Sequence, residues 1–384
     1  MTDVVVIGGG IVGCSVAAHL AGSGRSVMLV ERDAIAAGAS GRNSGVVQHP
    51  FDPVLVALHL ATLELYRQLP GSGHLGAALA REPAGLLMIG HDADRIQDIT
   101  ALLALAHPGL RPTFVSPQAM RSLEPALAPD VAACRLAIGY PVPPAAATAA
   151  YAAWAVTLGV QMRIGIAARP WLGHGTTLGV TLDDGTRVAA SDVVVAAGPW
   201  SPALVDPGGA WRPIRSLWGV VVEIGLATPP GHVLEEAETD IEPSATDDPG
   251  THAFSLVTAD GRSSLGSTFL PDEPDPETEL PAILARARTY LPGLDEARVG
   301  AYRACARPLS LDGRPLVGRV PGSAGLWIAA GHGPWGISTG PAAGPLLVAM
   351  LDDASAADPV PAGALSPDLL AALDPARFGE IHPA

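Results

Sequence analysis

The stretch Val4-Val5-Val6-Ile7-Gly8-Gly9-Gly10-Ile11-Val12-Gly13 decides the fold of this chain. Four consecutive apolar, mostly β-branched residues read as a short strand buried on both faces. The strand runs directly into a G-x-G-x-x-G turn formed by Gly8, Gly10 and Gly13. A helical pattern through Val16, Ala17 and Leu20 follows and closes at Gly22–Gly24. A second apolar run, Val27-Met28-Leu29-Val30, ends on Glu31, which lies 18 positions after Gly13. A strand, glycine turn, helix, strand and acid at this spacing form a dinucleotide-binding βαβ unit. Gly8 permits the tight turn, Gly10 lets backbone N–H groups approach a pyrophosphate, and Gly13 lets the helix pack closely on the strand. The helix N-terminus, with Ile11 and Val12, favours the phosphate charge. Glu31 accepts hydrogen bonds from ribose hydroxyls and disfavours a 2′-phosphate, which argues against NADP. NAD and FAD both remain open at this point. Cys14 lies inside the helix and reads as packing.

Further along the chain the same vocabulary recurs. Ala39-Ser40-Gly41-Arg42-Asn43-Ser44-Gly45 is a small polar turn shortly after Glu31. Val193-Val194-Val195-Ala196-Ala197-Gly198-Pro199-Trp200-Ser201 reads as a strand and then a glycine turn. Trp327–Gly340 (WIAAGHGPWGISTG) reads as a strand, a glycine loop and a helix start. Pro143–Gly159 reads as an alanine-rich helix with a glycine end. Val220–Glu223, Ala253–Val257 and Ser264–Phe269 read as strands separated by Gly, Pro and Asp turns. The acidic, proline-bearing stretches 235–250 and 271–279 are expected to be solvated loops.

Composition narrows the function classes. The 384 residues favour two domains and bury enough surface to need neither disulfides nor a structural metal. Cys14, Cys134 and Cys305 are far apart and form no Cys/His ligand spacing. The formal net charge is −15, and all 23 cations are arginine. An acidic chain makes a poor ligand for nucleic acid or an anionic membrane, and one without lysine offers neither a lysine Schiff base nor a lysine general base. The uncharged stretches Val4–Gly24, Leu136–Met162 and Val320–Leu351 are interrupted by glycines or prolines, which argues against a membrane span. With scattered thiols and no positive stretch before residue 4, the expected location is cytoplasmic.

Five ordered motifs carry a family resemblance: GxGxxG with Glu31, the SGRNSG turn, VVVAAGPWS, RPLSLDGRPLVG at 307–318, and AAGHGPWGIST. Together they resemble the FAD-dependent amine and amino-acid oxidoreductases that include glycine oxidase, sarcosine oxidase and D-amino-acid oxidase. The resemblance selects FAD as cofactor. It implies an α/β fold, with a Rossmann-like FAD domain assembled from separated segments and an inserted, mainly antiparallel substrate domain. The segments 1–75, 140–212 and 298–384 fall to the FAD domain, and 76–139 with 213–297 to the substrate domain. The implied reaction is oxidation of a C–N bond in an amino acid or amine (an N-methyl amino acid, a D-amino acid or a related imino acid) by hydride transfer to flavin N5. Oxygen is the expected acceptor; a quinone or electron carrier is the alternative, as is a non-catalytic FAD-binding subunit of a larger complex.

The resemblance also assigns residues. Arg307, in the RP…DG segment, falls where relatives hold the substrate carboxylate by an arginine; an ion pair with one of the chain's acids is the other reading. Trp335, between Gly333 and Gly336 in sequence, either walls the substrate site or packs in the core. His49 either sets charge near the flavin or the substrate amine, or is a simple loop histidine. His332 either touches the flavin or makes a structural hydrogen bond. Cys305 falls seven positions before Asp312, where sarcosine oxidase relatives attach flavin covalently; Arg303 and Arg307 beside it are expected to lower its thiol pKa. Asn43 replaces the histidine that other relatives use for attachment. The remaining implied cofactor contacts are Arg32, Ser40, Arg42, Ser44, Gly45, Ala168, Ala197, Gly198, Trp200, Gly331, Gly336, Ile337, Ser338 and Thr339. Pro334-Trp335 replaces a second arginine of glycine oxidase, which implies a more apolar pocket there.

Overall fold

A computed structural model describes residues 2–69, 79–237, 251–352 and 366–379. In chain order the strands are β1 (Thr2–Ile7), β2 (Val27–Glu31), β3 (Val46–Val47), β4 (Leu86–Gly90), β5 (Thr113–Val115), β6 (Ala132–Leu136), β7 (Tyr140–Pro141), β8 (Gln161–Ile164) and β9 (Ala168–Gly173). There follow β10 (Thr176–Leu182), β11 (Arg187–Val195), β12 (Ile214–Gly225), β13 (Val233–Glu236), β14 (Thr251–Ala259), β15 (Arg262–Phe269), β16 (Arg298–Ser310), β17 (Leu316–Arg319) and β18 (Leu326–Ala330).

Two large sheets organise the chain. The first has the order β17-β18-β11-β1-β2-β8, with the β9–β10 hairpin continuing from β11. Strands β18, β11, β1, β2 and β8 are parallel. As the apolar run predicts, β1 is covered on both faces: Val4 and Val6 join one core cluster, Val5 and Ile7 the other. The helix α1 (Ile11–Gly22) covers the first face together with the helices Ala146–Thr157 and Ala343–Leu351. The expected alanine-rich helix therefore exists, and Gly159 at φ +86° ends it. Its alanines let α1 approach closely, and Trp154 meets His19 of α1 edge-on at 5.0 Å.

The second sheet has the order β16-β12-β15-β14-β13-β4-β6-β5 and is antiparallel except for the β13–β4 pair. One face packs on the helix Pro276–Tyr290 through Val220, Val222, Leu256 and Leu265. Its other face turns Leu217, Gly219, Ser255 and Met88 the opposite way by strand alternation. Strands expected at 220–223, 253–257 and 264–269 are present, each longer than its apolar run. Two loop expectations need correction. Asp275 caps a helix through Glu277 N–H, so 276–279 is its first turn rather than a loop. Glu235 and Glu236 lie on β13, because their backbones pair with β14 and β4; residues 238–250 lie outside the described residues. Strand β16, placed with the first layer by a boundary at 298, is hydrogen-bonded along β12 of the second sheet from Arg298 to Ser310.

Arg303 on β16 ties the two layers together. It donates to the backbone carbonyls of Arg42 and Asn43 at 3.3 and 3.0 Å, and it pairs with Glu223 at 2.9 Å.

Glycines in α1 separate two effects. A Cβ at Gly13 would overlap the carbonyl oxygen of Gly8, a backbone atom that cannot step aside. A Cβ at Gly22 meets only Leu158, at 3.7 Å. Alanine gains about 1 kcal/mol of helix propensity over glycine at either site. Gly22→Ala is therefore expected to hold or raise the thermal midpoint. Gly13→Ala is expected to lose about 1–3 kcal/mol to overpacking, read as a midpoint several degrees lower by circular dichroism.

Candidate active site

Between the two sheets lies a cavity of about 1200 Å³. That exceeds the roughly 300–1,000 Å³ usual for one small ligand and gives room for a dinucleotide with a substrate beside it. One end is built by the β1–α1 turn and the end of β2. Gly8 sits at φ +120°, and a Cβ there would strike the Ala196 carbonyl. Gly10, Ile11 and Val12 face the cavity, whereas Gly13 does not; it serves the helix contact. The Ile11 N–H donates to Ser40 Oγ at 3.0 Å, so the polar turn closes over the helix N-terminus. Glu31 accepts from Gly9 N–H at 2.6 Å and Asp33 N–H at 2.8 Å. Two carboxylate oxygens keep further lone pairs for hydroxyl donors. Ala168, Ala197, Gly198 and Trp200 line the same end, and the Arg32 guanidinium stacks on the Trp200 ring at 4.3 Å.

The polar turn is held by its own side chains. Asn43 donates to the carbonyls of Ala39 and Ser40 at 3.1 and 2.8 Å and accepts from Gly45 N–H at 2.8 Å. Asn43 thus shapes the turn, with Arg42 and Ser44 along the cavity. Gly45 is not on the cavity wall; at φ +85° it permits the bend beside Val142.

The C-terminal loop supplies the opposite wall. His332, Gly333, Trp335, Gly336, Ile337 and Ser338 face the cavity; Gly331 and Thr339 do not. Thr339 Oγ1 donates to the Trp335 carbonyl at 2.9 Å, so it accepts from His332 Nδ1–H at 2.9 Å. The tautomer then leaves a bare acceptor at His332 Nε2, which is buried and has no partner among the described residues. His332 is 1 % exposed, and burial pushes its pKa down to about 3. A neutral acceptor held beside a cavity awaits a donor from a bound group, such as a flavin N–H or a ribityl hydroxyl. This orphaned nitrogen, the glycine cradle and the open side of Glu31 fit FAD.

On β16, Arg303, Cys305 and Arg307 share one face by strand alternation, and Cys305 and Arg307 line the cavity. Cys305 is buried, and burial raises its thiol pKa despite the opposing influence of Arg307, Arg303 and Arg42. The expectation that the flanking arginines lower it is therefore corrected: desolvation outweighs them. Arg307 crosses β12 over Gly219, where a Cβ would collide with the guanidinium. It donates to the Thr268 carbonyl at 2.9 Å and Ser267 Oγ at 2.5 Å and lies over the Phe269 ring at 4.8 Å. It has no carboxylate partner among the described residues.

His49 is not on the cavity wall, although its neighbours Gln48 and Pro50 are. Successive residues of an extended segment point to opposite sides. The His49 ring turns to His59, 5.1 Å away, and burial lowers its pKa. Sequence reading passed over Gly219, Ser267, Thr268, Gln48 and Glu235. Gly219 did carry a signal, since a glycine inside a strand marks close approach of another group.

Among the described residues no helix is long and apolar enough to cross a membrane. The family described as FAD dependent oxidoreductase matches residues 3–350. The chain is 28 % identical over 375 residues to a glycine oxidase of Pseudomonas putida, covering 94 % of this chain and 97 % of that one. It is 26 % identical to the 4-methylaminobutanoate oxidase (formaldehyde-forming) of Paenarthrobacter nicotinovorans, covering 88 % of this chain and 42 % of that one. Among solved structures, the glycine oxidase of Bacillus cereus superposes with a TM-score of 0.79 at 25 % identity, covering 93 % of this chain and 96 % of that one.

Neutral burial of His332 has a pH signature. Its folded pKa lies below the roughly 6.5 of the unfolded chain, so its contribution is complete above pH 6.5 and is lost as pH falls toward 3. Between pH 6.5 and 5 this amounts to about 2 kcal/mol. His332→Asn, which keeps a donor for Thr339, is expected to flatten the fall of apoprotein stability over that range in urea melts at fixed pH.

Proposed function

Because the chain belongs to the FAD-dependent oxidoreductase family, whose members here oxidise C–N bonds of amino acids or amines, we propose that its substrate is an amino acid held by its carboxylate at Arg307 and that oxygen is the electron acceptor. One observation carries the substrate reading. Among the described residues, Arg307 brings a guanidinium to the cavity wall with a carbonyl, a hydroxyl and an aromatic ring as its partners. Burial already penalises the charge and lowers its pKa. A guanidinium fork matches a carboxylate bidentately, and the pair is stronger where water is excluded.

The division of labour follows from the positions. Gly8, Gly10, Ile11 and Val12 with Glu31 would hold the dinucleotide end of FAD, and Arg32 on Trp200 would border its adenosine half. His332 Nε2 would accept from the flavin or its side chain, and Trp335 with Ile337 would border the reacting end. Bound FAD supplies the acceptor, at N5, for the hydride of the carbon that bears nitrogen. Arg307 fixes the α-carbon by gripping the carboxylate, and Gly219 keeps the path of its side chain open. Ser267 and the Thr268 carbonyl stop the guanidinium from rotating. The layered assignment of 1–75, 140–212 and 298–384 to the cofactor and 76–139 with 213–297 to the substrate belongs to the same proposal, with Arg298–Ser310 shared between them. Lysine is absent from the chain, so Arg42, Arg303 and Arg307 are the permanent cations around Cys305. Their role in this reading is the electrostatic support of oxygen reduction.

The purified protein is expected to be yellow and to bleach anaerobically with amino acids. Arg307→Leu is expected to weaken bleaching by amino acids about 100-fold or more, as loss of a buried charged contact does, and to spare the FAD spectrum. A variant that bleaches as well as the parent would refute the carboxylate assignment. Slow recolouring in air but fast recolouring with a quinone would replace oxygen as acceptor. Acid precipitation separates the two states of Cys305: colour retained in the pellet means attachment, and colour in the supernatant means a packing thiol.

A further inference from the structure

The cavity wall at Gly336–Ser338 carries a hydrogen-bond deficit written into its sequence. The short helix Gly336–Thr339 passes through the 3-10 turn Gly340–Ala342 into the helix Ala343–Leu351. Pro341 and Pro345 within this run have no backbone N–H. In a helical chain each N–H serves the carbonyl four residues back, so the carbonyls of Ile337 and Pro341 lose that donor. Gly340 N–H does not replace it at Ile337, because it goes to the Gly336 carbonyl. Ile337 and Pro341 are buried, and a buried carbonyl without a donor is costly.

Hydroxyls from two other helices make up the deficit. Tyr66 O–H, on the helix Pro53–Gln68, donates to the Ile337 carbonyl at 2.7 Å. Ser15 O–H, on α1, donates to the Pro341 carbonyl at 2.8 Å. His59, two turns before Tyr66 on the same helix face, has Nδ1 at 3.3 Å from the Ser338 carbonyl. A carbonyl only accepts, so that nitrogen carries the proton. Tyr66 and His59 are 1 % and 2 % exposed, and neither lines the cavity. Burial holds the Tyr66 phenol well above its ordinary pKa, which keeps it a donor. The first turn of the same helix is fixed independently: Asp52 accepts from Val54 and Leu55 N–H and pairs with Arg314 at 2.9 Å.

The contact controls a peptide plane. A carbonyl and the next N–H are one rigid unit, so Tyr66 sets the orientation of the peptide joining Ile337 to Ser338, two residues that line the cavity. Gly336 before it and Gly340 after it leave the backbone free to turn if the hydroxyl is lost. We propose that Tyr66 is a positioning residue of the reaction: its O–H stands in for the N–H that Pro341 lacks and holds the Ile337–Ser338 peptide as the flavin requires it. This rests on the reading in which Ile337 borders the reacting end of FAD, and it is independent of Arg307 and of the electron acceptor.

The test compares Tyr66→Phe with Tyr151→Phe, each the loss of one oxygen. Tyr151 is a phenol buried as deeply, its ring 6.0 Å from that of Tyr66, and its O–H has no partner among the described residues. Each apoprotein is titrated with FAD, and each holoenzyme is compared by visible circular dichroism of the flavin and by anaerobic bleaching with one shared substrate. Tyr66→Phe is expected to raise the Kd for FAD about five- to tenfold, as one orphaned buried acceptor does, and to change the flavin dichroism. Its limiting bleaching rate is expected to fall about tenfold, with half-saturation moved less than about twofold. Tyr151→Phe is expected to match the parent in all of these. Adding Pro341→Ala to Tyr66→Phe returns a backbone N–H four residues after Ile337, and is expected to bring the Kd within about threefold of the parent. A Tyr66→Phe enzyme with a lower thermal midpoint but the parent's dichroism and limiting rate overturns the proposal and reduces Tyr66 to packing. Equal effects of the two phenylalanine variants overturn it too, as does a double variant that recovers nothing, whether binding or folding was lost. A parent apoprotein that takes up no FAD overturns this inference and the FAD reading together; unchanged variants of a parent that binds FAD overturn this inference alone.

Discussion

Arg303 is the interaction on which the cavity depends. It is a strand residue of the second sheet that reaches back to the backbone of the polar turn at Arg42 and Asn43 and is neutralised by Glu223. Because it grips carbonyls, it adds an outside hold to the one that the Asn43 side chain exerts within the turn. That turn in turn places Ser40 over the first N–H of α1. The β1–α1 end of the cavity and the β16 wall are therefore registered to each other by one half-buried guanidinium. Neutralisation by Glu223 matters, since an uncompensated cation at this depth would oppose the contact it makes.

Two neighbouring arginines on β16 carry opposite electrostatic logic. Arg303 is paired and structural, while Arg307, four residues along on the same face, has neutral partners among the described residues. The difference follows from what lies across the sheet: Glu223 stands beside Arg303, and Gly219 beside Arg307. The missing side chain on β12 opens the path for the guanidinium. In the proposed reading the charge is met by the substrate carboxylate. Cys305 lies between them under both influences, and desolvation prevails over the positive field, which keeps the thiol protonated.

His332 shows a similar economy with a neutral group. A threonine further along the same loop fixes its tautomer by accepting from Nδ1, and the fixed tautomer presents a lone pair at Nε2. A protonated imidazole in this place would bring a charge into the interior, which burial opposes.

How much was legible depended on the range of the interaction. The β1–α1–β2 unit was readable from Val4 to Glu31 because every partner lies within one local spacing, and glycines at 8, 10 and 13 leave few alternative conformations. The charge balance and the missing lysine were likewise properties of the sequence alone. The resemblance carried by five motifs reached the family and the cofactor, and placed Arg307, Trp335 and His332 on the cavity. His49 lies off the cavity wall because a one-residue alternation, set by how 46–50 meets Ser338 and His59, turns Gln48 inward instead. Ser267, Thr268 and Glu235 were invisible for a different reason. They are two hydroxyl residues and one acid among many until strand register brings Ser267 and Thr268 around a guanidinium and Glu235 to the cavity wall. Sequence by itself determined the local unit that receives a dinucleotide, since its physics is short-range backbone geometry. Only the tertiary structure decided which charges meet a partner and which face the cavity, because that is set by pairing between strands far apart in the chain.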